Sequence, residues 1–190
     1  MRAIFLDRDG VLNKAEVRNG KPYPPASASD LEILPDVLGS LTDLKRAGYL
    51  LLVATNQPDV GNGIQTREAV EAIHARLMNE LPLDDIFVCY HADSDKCSCR
   101  KPTPGLLEQA VNRYGLSLAF CYMVGDRWRD VDAGHGAGCQ TILIDYGYSE
   151  RSPMKEPAAR VTSLREAADW ILRQVNDASS ATSPSETPAE

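Results

Sequence analysis

The fold is decided by residues 3–10, which read AIFLDRDG. The four uncharged residues at 3–6 have the length and composition of a buried strand, and the run stops abruptly at Asp7. In open parallel sheets the ligand site lies at the carboxyl ends of the strands. Asp7 and Asp9 are two positions apart in near-extended chain and face the same side, and Gly10 permits the turn that follows. The stretch therefore predicts a buried strand that delivers two carboxylates to one site.

The rest of the chain alternates short apolar runs with segments of helical period, which is typical of a parallel sheet covered by helices. Further strands are predicted at 50–54, 86–89, 122–124 and 141–144, and helices near 37–47, 66–80, 104–111, 129–137 and 163–175. Thr103 before Pro104 predicts an N-cap, and Ser163 with Glu166 predicts a capping box. The predicted fold class is α/β, a doubly wound, Rossmann-like parallel sheet with helices on both faces and no large cap domain.

Length and composition limit the class of protein. The chain has 190 residues, 43% of them hydrophobic, and a net charge of -7. Its longest uncharged apolar run falls far short of the roughly 20 residues that cross a bilayer, and no global basic field exists for a nucleic acid or an anionic membrane. The amino terminus lacks the features of a secretory signal, so we expect a cytoplasmic protein. We also expect a monomer without nucleic-acid or membrane partners.

Two segments differ from the rest of the chain. Residues 177–190 consist mostly of Ser, Thr, Pro, Ala and Glu, which predicts a disordered tail after a single domain at 1–176. Residues 13–30 contain three prolines and no apolar periodicity. Loops of this length in compact domains often act as functional lids.

Three more polar motifs stand at strand ends or helix starts: Thr55-Asn56-Gln57, Arg100-Lys101 and Gly125-Asp126. Taken singly, each is more simply a turn, a cap or a solvated charge, because Asp, Gly and Thr are common in turns. Their joint occurrence in the order Asp-x-Asp, Thr, Lys, Gly-Asp favours one catalytic site.

This set of motifs resembles the four motifs of the haloacid dehalogenase (HAD) superfamily of phosphatases, and the likeness covers residues 1 to about 175. Within the superfamily the chain is similar to the branch that contains the heptose 1,7-bisphosphate 7-phosphatases and the histidinol phosphatases. The mark of that branch is a zinc loop before the lysine motif, represented here by residues 89–99.

The resemblance implies roles for the motif residues. Asp7 is the nucleophile that forms an aspartyl phosphate, and Asp9 is the general acid and base. Mg²⁺ is held by the carboxylates of Asp7 and Asp126 and the main-chain carbonyl of Asp9. The residues expected to bind the substrate are Thr55, Asn56, Gln57, Arg100, Lys101 and Arg127. Asp130, one helical turn after Asp126, either orients that carboxylate or is an acid on a helix surface.

A zinc site is predicted from the loop itself. Four ligand types stand within eleven residues, at Cys89, His91, Cys97 and Cys99. They are enough to close a tetrahedral structural site, and the alternative is three thiols beside an unrelated histidine. Two further cysteines, Cys121 and Cys139, are expected to be core thiols, and two further histidines, His74 and His135, to be structural or solvated.

The leading hypothesis is an Mg²⁺-dependent phosphatase of a small sugar phosphate, with the 7-phosphate of D-glycero-D-manno-heptose 1,7-bisphosphate as the first candidate. Histidinol phosphate and other small esters stay open, because residues 58–63 read PDVGNG where that branch usually has Ser-Gly and an arginine. Arg100 and Arg127 are the candidates for binding a second phosphate. The alternative that is not an enzyme is a zinc-loop binding protein on an inactive phosphatase fold.

Overall fold

The computed structural model describes residues 1–180. Six strands form one parallel sheet in the order β5-β4-β1-β6-β7-β8, and β2 and β3 form a separate antiparallel hairpin. The strands are β1 (Ala3–Leu6), β2 (Glu16–Arg18), β3 (Lys21–Tyr23), β4 (Leu50–Asn56), β5 (Asp85–Cys89), β6 (Tyr122–Gly125), β7 (Gln140–Ile144) and β8 (Ala159–Val161). The helices are α1 (Val37–Arg46), α2 (Pro58–Gly61), α3 (Arg67–Glu80), α4 (Gly105–Tyr114), α5 (Trp128–Ala137) and α6 (Leu164–Ser180). The predicted doubly wound α/β sheet is confirmed.

The sheet has a separate hydrophobic core on each face. Ile4 and Leu6 of β1 pack on the face covered by α1, α3 and α6, while Ala3 and Phe5 pack on the face covered by α4. All four side chains are fully buried. Burial of a large apolar side chain contributes about 1.5–3 kcal/mol, so β1 is fixed from both sides. The uncharged run of β1 reflects this position at the centre of the sheet.

The register of the sheet brings the polar strand ends together. Leu6, the last residue of β1, pairs with Val53 of β4 on one side and with Val124 of β6 on the other. The residues that follow these three positions therefore leave the sheet at the same edge. The chain runs from β1 outward through β4 and β5, then crosses to β6 on the other side of β1. Ligands bind at such a change in strand order.

The segment 13–30 is not an irregular loop throughout, because it contains the β2–β3 hairpin. Arg18 pairs with Lys21 across a turn at Asn19 and Gly20, which both have positive φ, at 52° and 73°. Asn-Gly is the residue pair that such a two-residue turn favours. The sequence thus contained the residue pair typical of a hairpin, although the two three-residue strands show no apolar alternation.

Two predicted boundaries are wrong. Thr103 is not an N-cap, since its hydroxyl donates to the carbonyls of Ser98 and Arg100 and the helix begins at Gly105. The side chain of Thr103 is used to fix the preceding loop instead. The last helix continues through Ser180, beyond the predicted boundary at 176, and the rest of the predicted tail lies outside the described residues.

Strand β8 was not predicted; it is short and only partly buried. No helix within residues 1–180 has the length and apolar character needed to cross a membrane.

Candidate active site

A cavity of about 220 Å³ opens at the carboxyl edge of the sheet. Its walls come from four parts of the chain: the strand ends with their loops, the hairpin, α2 and the start of α5. The strand ends and the loops and helix start that follow them contribute Asp7, Asp9, Asn56, Lys101, Arg127, Arg129 and Asp130; the hairpin region contributes Pro22, Tyr23 and Pro24; α2 contributes Pro58 and Asp59. The cavity therefore brings together the predicted Asp7, Asp9 and Lys101, with Asp126 directly behind its wall. The segment 13–30 was considered as a lid, but its hairpin residues were not named as site residues, because their position beside the strand ends depends on the tertiary structure.

Three buried carboxylates lie close together, and two of them bind one buried ammonium group. Oxygen atoms of Asp7, Asp126 and Asp130 all lie within 4.8 Å of one another. Lys101 Nζ lies 2.9 Å from Asp7 Oδ1 and 2.5 Å from Asp130 Oδ1. Asp130 is thus fully buried and bound to Lys101, so the interpretation as a surface acid is wrong. The other oxygen of Asp130 accepts from the main-chain N–H of Arg127.

Asp126 is the carboxylate of this cluster that has no cationic partner. Both of its carboxylate oxygens are buried, and neither has a hydrogen-bond partner of normal geometry among the described residues. Burial raises the pKa of Asp126 well above its usual range, and the charges of Asp7 and Asp130 raise it further. Burial also raises the pKa of Asp7 to about 6, although Lys101 opposes the change. Hard oxygen ligands with uncompensated charge fit a divalent cation such as Mg²⁺.

Lys101 is held from several directions. Its Nζ also donates to the main-chain carbonyl of Ala54, at 2.6 Å. Asn56 brackets its backbone, because Asn56 Nδ2 donates to the Lys101 carbonyl and Asn56 Oδ1 accepts from the Lys101 N–H. Burial would lower the pKa of Lys101, but Asp130 and Asp7 outweigh it and raise the pKa. The cation is therefore fixed in its charged form beside Asp7.

Asp9 lies in a cradle of donors that sequence reasoning missed. Its Oδ1 accepts from Arg8 and Asn13, and its Oδ2 accepts from Arg8 and Gln57. Arg8 is completely buried, and its guanidinium also contacts Gln57 Oε1 and His74 Nε2.

Burial and the charge of Arg8 lower the pKa of His74 to about 4, so this ring is a neutral acceptor. His74 is therefore structural and not solvated, which was one of the two alternatives expected from the sequence. Arg8 could have been singled out from the sequence, because a charged residue directly after a buried strand is seldom buried without a partner.

Of the three residues predicted to bind substrate at the end of β4, Asn56 lines the cavity and Thr55 and Gln57 do not. Gln57 is buried, donates to Asp9 and to Thr55 Oγ1, and does not line the cavity. Thr55 is also buried behind it. Asn56 does line the cavity, but both ends of its amide are bound to the backbone of Lys101.

Both predicted arginines are paired with acids. Arg127 lines the cavity and makes a two-pronged ion pair with Glu150. Arg100 is not among the residues that line the cavity, and its Nε donates to Asp93 Oδ1 at 2.5 Å. Arg129, which the sequence gave no reason to select, lines the cavity in its place.

The four predicted zinc ligands converge on one point. Cys99 Sγ lies 3.1 Å from Cys89 Sγ, 3.5 Å from Cys97 Sγ and 3.3 Å from His91 Nδ1. All the described cysteines are free thiols, and a disulfide would need about 2.05 Å between sulfurs. The corners of a tetrahedron with metal–sulfur bonds of about 2.3 Å lie roughly 3.8 Å apart. The observed distances between sulfurs are somewhat shorter than this, so the four ligand atoms lie close enough together to close a tetrahedral site around one metal ion.

The loop that carries these ligands is packed tightly between α2 and α4. A Cβ atom at Gly61 would lie 2.6 Å from Ala92 N, and one at Gly105 would lie 2.2 Å from Ser98 O. Lys101 follows two residues after Cys99, so the loop sets the position of the lysine. Cys121 and Cys139 are buried in the core, as predicted.

Comparison with known proteins extends these observations. The model of the HAD-hydrolase-like family matches residues 98–178, and that of the polynucleotide kinase 3 phosphatase family matches residues 3–132. A D-glycero-beta-D-manno-heptose-1,7-bisphosphate 7-phosphatase of Helicobacter pylori is 33% identical over 90% of this chain and 97% of its own length. The protein of the same name from Yersinia pestis is 33% identical over 92% of each chain.

A solved structure shares the fold. It is the crystal structure of D,D-heptose 1,7-bisphosphate phosphatase from Bordetella bronchiseptica, complexed with magnesium and phosphate. It is 31% identical, with a TM-score of 0.79, and the match covers 92% of this chain and 99% of that one.

Proposed function

Because the chain belongs to the family of the HAD-like heptose 1,7-bisphosphate 7-phosphatases, we propose that it hydrolyses the 7-phosphate of D-glycero-D-manno-heptose 1,7-bisphosphate. The β anomer, for which the relatives are named, is the first substrate to test. The observation that carries the proposal is the Lys101 ammonium between Asp7 and Asp130, at the wall of the cavity that Asp9 also lines.

The first half of the reaction uses Asp7 as nucleophile. A carboxylate oxygen of Asp7 bonds to phosphorus while the bond from phosphorus to the sugar oxygen breaks. Asp9 gives its proton to the departing alkoxide. Lys101 reduces the repulsion between the anionic nucleophile and the anionic phosphate, because its Nζ lies 2.9 Å from Asp7 Oδ1. The products of this half are the sugar alcohol and an aspartyl phosphate.

The second half returns the enzyme to its starting state. A water molecule attacks phosphorus, the bond to Asp7 breaks, and Asp9 takes the proton from the water. The side chains of Arg8, Asn13 and Gln57 hold the Asp9 carboxylate in place at the wall of the cavity for both proton transfers. Asp9 thus acts first as acid and then as base.

Mg²⁺ would be held by the carboxylates of Asp7 and Asp126 and the main-chain carbonyl of Asp9. When bound, it supplies positive charge against the phosphoryl oxygens. The unpartnered oxygens of Asp126 support this assignment. The contacts of Asp130 favour Asp126 over it as a ligand, because one oxygen of Asp130 binds Lys101 and the other accepts from Arg127 N.

A structural Zn²⁺ would be held by Cys89, His91, Cys97 and Cys99. Its role is to fold residues 89–99 and so fix Lys101. The site is closed by protein ligands, and it lies outside the catalytic cavity.

The experiment is a steady-state comparison of phosphate esters in the presence of Mg²⁺. We expect the highest kcat/KM for heptose 1,7-bisphosphate, release of one phosphate per molecule, and loss of turnover in Asp7→Asn. Histidinol phosphate and simple sugar monophosphates are the competing substrates in the panel. A higher kcat/KM for histidinol phosphate would refute the proposed substrate, and undiminished turnover by Asp7→Asn would refute the mechanism.

A further inference from the structure

Three arginines lie close together near one wall of the cavity: Arg100, Arg127 and Arg129. They differ in how closely an acidic side chain is paired with each of them. Arg127 is neutralised by Glu150, which it meets with two nitrogen atoms. Arg100 is neutralised by Asp93 at 2.5 Å. Among the side chains that the structure describes, the nearest acid to Arg129 is the same Asp93, at 4.0 Å. Asp93 thus serves two arginines, and Arg129 is the one with no acid at hydrogen-bond distance among the described residues.

Arg129 is therefore the arginine of this group that is best placed to bind an anion. Its guanidinium makes no hydrogen bond within the described part of the chain and borders the catalytic cavity, with 27% of its side chain exposed. Burial lowers the pKa of Arg129, and the neighbouring charges of Arg100 and Arg127 act in the same direction against Asp93. An anion at this position would relieve the repulsion among the arginines.

The guanidinium is held in place before any ligand arrives. Its Cζ lies 4.5 Å from the centre of the Trp128 ring, and Arg151 stacks on the same ring at 3.4 Å. Stacking on an indole restrains the orientation of a planar cation while its N–H groups stay available. A preorganised arginine loses less conformational entropy when it binds a ligand.

We propose that Arg129 binds the second, non-reacting phosphate of the substrate and so determines the preference for a bisphosphate. This inference rests on the proposed function, since it assigns a role within the same cavity. A guanidinium matches phosphate because it donates two parallel N–H bonds. Arg100, which the sequence suggested for this role, is bound to Asp93 and does not line the cavity.

The test compares Arg129→Gln with the wild type on two substrates, heptose 1,7-bisphosphate and heptose 7-phosphate. Loss of a charge-assisted hydrogen bond should lower the ratio of the two kcat/KM values by about tenfold or more, chiefly through KM. Arg129→Lys should recover part of the ratio. In a second measurement, calorimetric titration of heptose 1-phosphate into the Mg²⁺-loaded enzyme should show a Kd about tenfold weaker for Arg129→Gln.

Arg151→Gln is the matched control, because Arg151 stacks on Trp128 but is paired with Asp132 and lines a different cavity. Its selectivity ratio should equal that of the wild type. Equal losses on both substrates in Arg129→Gln, or the same change in selectivity in Arg151→Gln, would overturn the inference while the proposed function stands. A wild-type enzyme that does not hydrolyse the bisphosphate would refute the proposed function itself, and the inference with it.

Discussion

Gly10 and Asp126 approach each other so closely that a Cβ atom at Gly10 would lie 2.0 Å from Oδ2 of Asp126. Gly10 also has a φ of 82°, a conformation that side chains disfavour. The glycine is therefore required twice, once for the turn after β1 and once for the room that the Asp126 carboxylate occupies. This contact joins the first motif of the sequence to the last.

Gly10→Ala should displace the Asp126 carboxylate and weaken Mg²⁺-dependent turnover by at least about tenfold. The same change at Gly138 provides the control, because Gly138 has a φ of 90° and an added Cβ meets nothing within 4 Å. Both variants should lose about 1–2 kcal/mol from backbone strain, and Gly10→Ala about 1–3 kcal/mol more from overpacking. Urea denaturation and kcat measure the two effects. Equal stability and activity in the two variants would contradict the proposed contact.

Asp9→Asn should lower kcat by roughly 10²–10⁴, the range expected for general acid–base catalysis. It should also destabilise the protein by about 1–3 kcal/mol, because the new amide places a donor against the N–H groups of Arg8 and Gln57. The affinity for Mg²⁺ should change little, since Asp9 is proposed to bind it through the backbone. Titration of Mg²⁺ by calorimetry separates the outcomes, and a large loss of affinity would assign the Asp9 carboxylate to the metal.

The buried His74 predicts a defined dependence of stability on pH. Its folded pKa of about 4 lies below the unfolded value of 6.5. Between these values the unfolded chain binds the proton and the folded chain does not, so the free energy of unfolding falls as pH decreases from about 6.5 to 4. His74→Gln keeps an acceptor for Arg8 but has no titrating group. Urea denaturation at several pH values should therefore give a steeper loss for the wild type than for the variant, and parallel curves would show that His74 is not buried neutral.

The cysteine cluster predicts about one equivalent of zinc per chain in purified, reduced protein. Cys97→Ser should lower the zinc content, the Tm and the activity together, because the loop positions Lys101. Cys139→Ser is the control, as Cys139 is a buried thiol outside the cluster and its loss should leave the zinc content unchanged. Elemental analysis measures the metal. Protein that folds and turns over normally without zinc would exclude a structural role for the metal.

Much of the site followed from local patterns. The apolar runs located β1, β4, β5, β6 and β7, and the parallel arrangement placed Asp7, Asp9 and Asp126 at one edge of the sheet. The zinc ligands were found because all four lie within eleven residues. These features depend on short-range spacing and on strand alternation, which a linear sequence displays directly.

The partners of the charged side chains were decided only by the tertiary structure. Asp130 binds Lys101, Arg8 reaches His74 across 66 positions, and Gln57 supports Asp9 across 48 positions. The hairpin reaches the cavity, and Arg129 rather than Arg100 borders it. Which group a long side chain such as that of arginine contacts depends on differences of a few ångströms between elements that are remote in sequence. Spacing along the chain therefore identified the reactive groups, whereas the packing of the elements determined which group each of them contacts.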